Sequence, residues 1–286
     1  MKLDFISKEV HYEGCPASFE DASIILVGAG FDGTSSYRSG SRNAPSAIRK
    51  DTLYSQENYS PYFGRDITEK AIHDFGDIEI VGRNKKLALE RIQQTASYIF
   101  KHKKKPVVIG GEHLITLPCI QAALNFYPDL HIIQVDAHLD LLDELFGHKL
   151  SHGTVFRRVY DLLNEDMRIC QVGIRSGSRE EYEFAQKHTR MFPFRVDNFI
   201  TELSNLKGYP VYLSLDLDVF DPSLIPGTGT PEAGGIMFDD YINLLKTIQD
   251  LNIIGCDVVE LCPDIDPTGT STIVAGKIIR ELLLIL

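Results

Sequence analysis

The sequence predicts an α/β fold in which a parallel sheet is covered by helices on both faces. Three observations carry this. Short apolar runs alternate along the chain with stretches of helical spacing. The strand-like runs are almost continuously apolar, as in strands buried on both sides. The residues hardest to bury, several Asp, His and Glu, fall where those runs stop. In open parallel sheets, ligands gather at the carboxyl ends of the strands.

The elements follow in order. SIILVG (23–28) reads as a strand. The chain is then turn-forming through TSSYRSGSRN, and the next helix starts near Pro45, a residue suited to a first turn. ALERIQQTASYIFKH (88–102) has helical spacing, and PVVIG (106–110) is a short buried strand. LITLPCIQAALNFY (114–127) is a helix with Pro118 in its first turn or at a kink. LHIIQVD (130–136) is a strand, a helix lies near 153–163, and RICQVGI (168–174) is a strand. A helix covers 179–188. VYLSLDL (211–217), FDDYINLLKTIQD (238–250), NIIGCDVVEL (252–261) and TSTIVAGKIIRELLLI (270–285) read as strand, helix, strand and closing helix.

A chain of 286 residues with 43% hydrophobic content can bury one large α/β core or two modest ones. No Ser/Gly linker, low-complexity tract or repeat divides it. IIRELLLIL is too short to span a bilayer, and MKLDFISKEVHYEG is too acidic and polar for a signal peptide, so a cytoplasmic protein is expected. The five cysteines include no CxxC and read as buried structural thiols. A net charge of −11 with no basic stripe weighs against nucleic acid and anionic membranes as partners. It suits a cationic substrate, although solubility explains the charge equally well.

Strand side chains alternate faces, so HIIQVDAH is expected to place Asp136 and His138 on one face. VYLSLDLD likewise places Asp216 and Asp218 together. Carboxylates crowded at a buried strand end repel one another and resist desolvation, and a cation relieves both. DAHLD offers Asp136, His138 and Asp140 at i, i+2 and i+4. His113 closes GGEH, whose glycines permit a tight turn and leave room for a bulky neighbour. Taken singly, His113 is an ordinary helix-start residue and each Asp motif a hydrogen-bonded turn. Taken together, at matching strand ends, they read as metal ligands. Asp221, before Pro222, reads as a turn cap.

Four aspartates and two histidines suffice for two metals with shared carboxylates, and four negative charges balance two divalent cations. Hard oxygens with imidazole favour Mn²⁺, with Fe²⁺, Co²⁺ and Zn²⁺ as competitors. The lack of cysteine ligands argues against structural zinc. Two cations roughly 3.5–4 Å apart activate water and clamp developing charge, which points to hydrolysis. His152, in SHG, could shuttle protons there, against the plainer reading of a solvated loop histidine. Glu260 ends the apolar run IIGCDVVE and suits bidentate pairing with a planar guanidinium. GAGFDG (28–33) matches GxGxxG, but no helix starts within it. A surface loop near the active site, or a subunit contact, is favoured over a dinucleotide site.

GGEH, DAHLD, SHGTVFRR, SLDLDVFDPSLIPGTGTPEAGG and DVVELCPDIDPTGTSTIVA resemble, in order and spacing, the ureohydrolase family of arginases and agmatinases. GAGFDGTSSYRSGSRNAPSAIR is similar to that family's amino-terminal loop and first helix. The resemblance runs from about residue 22 to 284. It implies a single three-layer α-β-α domain over 1–286 with a parallel sheet, arginase/deacetylase-like, two manganese ions per chain, and a homotrimer or homohexamer. By position, His113, Asp136, Asp140 and Asp216 would hold one manganese, and Asp136, His138, Asp216 and Asp218 the other. His152 matches the family's proton-shuttling histidine and Glu260 its guanidinium-binding acid. Asp140 is expected to give the proton to the leaving amine.

Arginases place polar recognition groups where this chain has Leu142 and, in IRSGSREE, Ser178. SHGTVFRR and PGTGTPEAGG look more like agmatinases. The expected activity is hydrolysis of agmatine to putrescine and urea, a step of polyamine synthesis. Guanidinobutyrate, an aminopropyl-agmatine and arginine are the alternative substrates. A metal-stabilised binding protein without turnover is the alternative of another class.

Overall fold

The computed structural model describes residues 3–7, 10–80 and 84–286. Met1 and Lys2, which open the segment read above as no signal peptide, lie outside the described residues, as do Lys8 and Glu9 within it. The elements in chain order are β1 (Ile6–Ser7), β2 (Ile24–Ala29), α1 (Ala44–Ser55), β3 (Tyr59–Ser60), β4 (Arg65–Asp66), β5 (Ile72–Ile78), α2 (Lys85–Lys101), β6 (Lys105–Gly110), α3 (Thr116–Leu124) and β7 (His131–Val135). Then come α4 (Val155–Leu163), β8 (Ile169–Val172), α5 (Arg179–His188), β9 (Arg190–Phe192), α6 (Leu203–Leu206), β10 (Pro210–Asp216), α7 (Phe238–Ile248), β11 (Asn252–Val259) and α8 (Thr270–Ile285). Nine strands form one sheet in the order β1-β5-β2-β6-β11-β10-β7-β8-β9. All neighbours are parallel except β1, which runs against β5. The β3–β4 ribbon stands apart.

Alternate strand residues feed two separate cores. Ile24, Leu26, Val107, Ile109, Ile133 and Val135 pack with residues of α1, α7 and α8 on one face. Ile25, Val27, Val108 and Ile132 pack with residues of α2, α3 and α4 on the other. These are the expected three layers. The predicted helices and strands are all present with ends shifted by a few residues, and Pro118 falls in the first turn of α3. The five cysteines are free and all but Cys15 are buried, with burial pushing the Cys170 and Cys262 thiols up to about 12. No helix among the described residues is long and apolar enough to cross a membrane.

The sheet sets the place of the site. Four neighbouring strands, β6, β11, β10 and β7, end nearly in register, with Ile109 beside Val258, Val259 beside Asp216 and Leu215 beside Val135. The next residues of these four strands are the GGEH turn, Glu260, Leu217–Asp218 and Asp136. Motifs far apart in sequence therefore meet at one edge.

Strand β5 was not legible in the sequence. Its IHDFGDI buries Asp74, whose side chain is fully covered. Arg49 of α1, also buried, donates from Nε at 2.7 Å and Nη2 at 2.9 Å to the two oxygens of Asp74, and its Nη1 also pairs with Asp77. These bonds hold the Asp74 carboxyl below its usual range against the opposing effect of burial. A buried bidentate pair is costly to break from one side, because the remaining charge is uncompensated. Arg49→Met should therefore lower the unfolding free energy by about 3–5 kcal/mol in equilibrium urea unfolding. A loss under about 1 kcal/mol, the worth of an exposed pair, would show that β5 is not held this way.

Candidate active site

The two aspartate motifs reach the site by turns and not by strand alternation. β7 ends at Val135 and β10 at Asp216, so Asp136, His138 and Asp218 lie beyond the strands. The expected period-two placement of these residues does not apply. Each motif instead folds on itself. Asp136 Oδ1 accepts the His138 N–H at 2.7 Å, and Asp216 Oδ1 accepts the Asp218 N–H at 2.8 Å. These are side-chain turns spanning two residues, for which Asp is suited. Each spends Oδ1 on the turn and turns Oδ2 to the site, where Asp136 Oδ2 is also held by Gln134 Nε2 at 2.8 Å. Asp221 caps a turn as expected, accepting from Ser223 N at 3.0 Å.

The freed oxygens converge on His113. Its Nδ1 lies 3.2 Å from Asp136 Oδ2, 3.1 Å from Asp140 Oδ2 and 3.1 Å from Asp216 Oδ2. It is buried and makes no hydrogen bond. His138 Nδ1 lies 2.9 Å from Asp218 Oδ2 and 3.7 Å from Asp136 Oδ1. The ligand atoms of His113, Asp136 and Asp140 fall within 4.8 Å of one another, as do those of Asp136, His138 and Asp218. All six residues expected as ligands are thus brought together, with Asp136 common to both groups.

Two features fit this set to cations. Three carboxylate oxygens surround one imidazole nitrogen, and a proton on Nδ1 points in line at none of them. A cation among the four atoms satisfies them all. The other ring nitrogen is spoken for: Nε2 lies 2.9 Å from Ser214 Oγ, which donates to Asp257 Oδ1 at 2.6 Å. Asp257 also accepts from the Tyr212 hydroxyl at 2.9 Å. The relay orders Nε2–H toward Ser214 and leaves the Nδ1 lone pair for a metal. Ser214 and Asp257 were not singled out in the sequence, although a charged residue inside the apolar run IIGCDVV was a signal for Asp257.

The protein groups alone hold protons. Burial pushes Asp140 up to about 7. Asp216 is raised well above the carboxylate range by burial and by the charges of Asp218 and Asp136. His113 and His138 are raised, the neighbouring aspartates outweighing burial. Asp136 is lowered, its two histidines outweighing burial. His152 goes the other way, down to about 4, through burial and the nearby His113 and His138.

Glu260 and His152 border the same cavity, of about 200 Å³, as do His138, Asp140, Asp216 and Asp218. Glu260 Oε1 accepts the His113 N–H at 2.7 Å. Its acidity is strongly suppressed by burial and by the neighbouring Glu112. Of the two positions read for substrate tails, Leu142 lines the cavity. Ser178 is the N-cap of α5, its hydroxyl accepting from Glu181 N at 3.2 Å. Ser176, Gly177 and Glu181 line the wall in its place, and sequence reasoning missed them. GAGFDG continues into a loop, and the next helical turn begins only at Ser41. The geometry of a dinucleotide site is therefore not met.

A cation entering this cluster must displace its protons. Mn²⁺ binding near pH 7 should release protons, so the calorimetric enthalpy should depend on the buffer's ionisation enthalpy. Affinity should fall as pH drops through the range of Asp140. Buffer-independent enthalpies would contradict the protonated cluster. Ser214→Ala removes the relay to Asp257 and should weaken Mn²⁺ affinity by roughly 10–100-fold. Unchanged affinity would mean that the relay does not orient His113.

Comparison with known proteins agrees with this geometry. The sequence profile described as the arginase family matches residues 22–285. An agmatinase from Bacillus anthracis is 39% identical over 271 residues, covering 93% of each chain. An agmatinase from Bacillus subtilis is 40% identical over 270 residues, covering 93% of this chain and 92% of its own. The crystal structure of the agmatine ureohydrolase of Thermoplasma volcanium superposes with a TM-score of 0.86 at 31% identity, covering 98% of this chain and 95% of its own. With its nine-stranded sheet and its carboxylate–imidazole cluster at the strand ends, the chain belongs to the arginase family.

Proposed function

We propose that the protein is a dinuclear manganese hydrolase that cleaves the guanidino group of agmatine to putrescine and urea. The observation that carries this is one cavity bordered both by four members of the cluster, His138, Asp140, Asp216 and Asp218, which meet His113 and Asp136, and by the buried Glu260. Two manganese ions, held by His113, Asp136, Asp140 and Asp216 and by Asp136, His138, Asp216 and Asp218, would supply activated water at neutral pH and a clamp for developing charge.

The chain's own groups do the rest. Glu260, reluctant to ionise alone, regains its charge when a guanidinium enters, and holds it in a fixed orientation. Asp140 would take up the proton that the attacking water loses and pass it to the departing amine. His152, neutral at pH 7 because its pKa is depressed, accepts a proton on its ring and exchanges it with solvent.

The tail preference is argued from charge. No Lys or Arg lines the cavity among the described residues, while Glu181 does. A substrate carboxylate, as in arginine or guanidinobutyrate, would meet the Glu181 carboxylate there with no Lys or Arg to offset it, and a distal amine would not. The likeness to agmatinases supports the same choice. Family resemblance supports a trimer or hexamer.

Urea release from agmatine, arginine, 4-guanidinobutyrate and aminopropyl-agmatine with Mn²⁺ tests the reading. Agmatine should exceed arginine in kcat/KM by at least about tenfold, a difference of about 1.4 kcal/mol. Equal rates would overturn the substrate assignment and spare the family. Glu260→Gln should lower kcat/KM by about a hundredfold for every guanidino substrate, because it removes a charge-assisted contact to their common group.

His152→Asn should lower kcat by roughly ten- to a thousandfold, against about 10²–10⁴ for a positioned acid–base group. Its metal content, read by elemental analysis, should not change. Metal loss in this variant would make His152 a ligand.

A further inference from the structure

The loop that follows β2 and completes GAGFDG supplies no member of the carboxylate–imidazole cluster. It packs against the GGEH turn. The Glu112 N–H donates to Phe31 O at 2.7 Å, and Gly111 N–H to Ala29 O at 3.1 Å. A Cβ on Gly111 would meet Phe31 O at 1.9 Å, so only glycine permits this approach. Glu112, fully buried, then grips the loop with its side chain. Its Oε2 accepts the Thr34 N–H at 2.8 Å, and its Oε1 accepts the Thr34 hydroxyl at 2.5 Å.

The Thr34 hydroxyl has a single proton, and it goes to Glu112. Its lone pairs are therefore turned outward, and they accept the main-chain N–H of His152 at 3.1 Å. That N–H opens a short helical turn (His152–Thr154), where it would have no partner within the turn. The ring of His152 is held between two further hydroxyls. Ser36 Oγ lies 3.1 Å from Nε2, and Ser151 Oγ lies 3.1 Å from Nδ1. A hydroxyl both donates and accepts. The imidazole thus keeps both bonds in either neutral tautomer, and the same hydroxyls accept from both nitrogens when it is protonated. It can change charge without moving, and Ser36 is exposed to solvent.

We propose that Thr34 and Ser36 are positioning residues for His152. Glu112 anchors Thr34, Thr34 fixes the His152 main chain, and Ser36 orients the ring and joins it to solvent. This rests on the reading of His152 as a proton carrier.

The test is a double-mutant cycle on the Mn²⁺-loaded enzyme, paired with NMR of ¹⁵N-histidine-labelled, metal-free protein. Thr34→Val keeps the shape and loses the hydroxyl. It should lower kcat for agmatine by about ten- to a hundredfold, the scale of a small misplacement of a catalytic group. KM and metal content should stay within about twofold, since neither depends on the bond to His152. Thr34→Ser, which keeps the hydroxyl, should restore most of the activity. In the His152→Asn background Thr34→Val should cost almost nothing, because residues that act through one another are not additive. Ser36→Ala should behave like Thr34→Val in this cycle. In the NMR spectra Thr34→Val should shift the His152 amide selectively, and Ser36→Ala its Nε2.

A full, additive loss in the His152→Asn background would overturn the proposal, as it would mark a merely structural role. Unmoved His152 signals would also overturn it. If His152→Asn itself turns over at the normal rate, the proton-carrier reading fails and takes the proposal with it. The NMR shifts then report separately whether the contacts exist.

Discussion

Everything at the carboxyl edge of the sheet answers to one constraint: four carboxylates are crowded together with little exposure to solvent. Asp136, Asp216 and Asp218 are buried at 2% exposure or less, and Asp140 at 8%. Like charges so placed cannot all ionise unless positive charge lies among them. Protons and two imidazoles meet the need in part. The result is a set of acids pushed in opposite directions, Asp136 down and Asp140 and Asp216 up. Two divalent cations would meet it fully. The surrounding structure makes sense as scaffolding for that exchange. Gln134 donates to Asp136 Oδ2 at 2.8 Å, Ala137 N–H to Asp218 Oδ1 at 3.3 Å, and the Ser214–Asp257 relay holds His113.

The parallel sheet is what makes so dense a cluster affordable. In β6, β11, β10 and β7 the strands are wholly apolar on the two core faces apart from a few bonded polar groups. The stability lies in those layers, and the strand ends are free to carry residues that oppose folding. Asp140 and Glu260 adopt left-handed backbones, with φ of 53° and 66°. Such conformations cost of order 1–3 kcal/mol each for residues other than glycine. Both are over-determined by main-chain bonds. The Asp140 carbonyl accepts from Phe156 and Arg157 at the start of α4, and the Glu260 N–H donates to Gly111 O. The helix that packs on the sheet therefore also fixes a member of the cluster.

Much of this was legible in the sequence, and the reasons are physical. Apolar runs report burial directly, so β6, β7, β10 and β11 could be read within a residue or two. Asp and His at the ends of such runs have no bland structural use in combination, so all six cluster residues could be read as well. Three kinds of feature could not. β5 hides because Asp74 is made tolerable by Arg49, 25 residues earlier, and a pairing at that distance leaves no local mark. The side-chain turns at Asp136 and Asp216 were mistaken for strand alternation, since both patterns place residues i and i+2 together. Ser176, Gly177 and Glu181 join the cavity only because β8 delivers its loop beside β7, which is a fact of sheet order.

The same sheet order explains why substrate charge is better judged from the cavity than from aligned positions. Leu142 and Ser178 suggested the absence of carboxylate recognition, but Ser178 is occupied as a helix cap and does not line the wall. What faces the cavity from that side is Glu181, whose oxygens accept the N–H groups of Leu141 at 3.0 Å and Ser178 at 2.8 Å. A carboxylate fixed by two backbone donors keeps its place. On the proposed reading, it would discourage a second carboxylate and leave an amine welcome. Selectivity on this account comes from what the wall repels as much as from what it binds. Glu181 also joins α5 to the loop that carries Asp140, so this wall and the cluster are tied to each other through its hydrogen bonds.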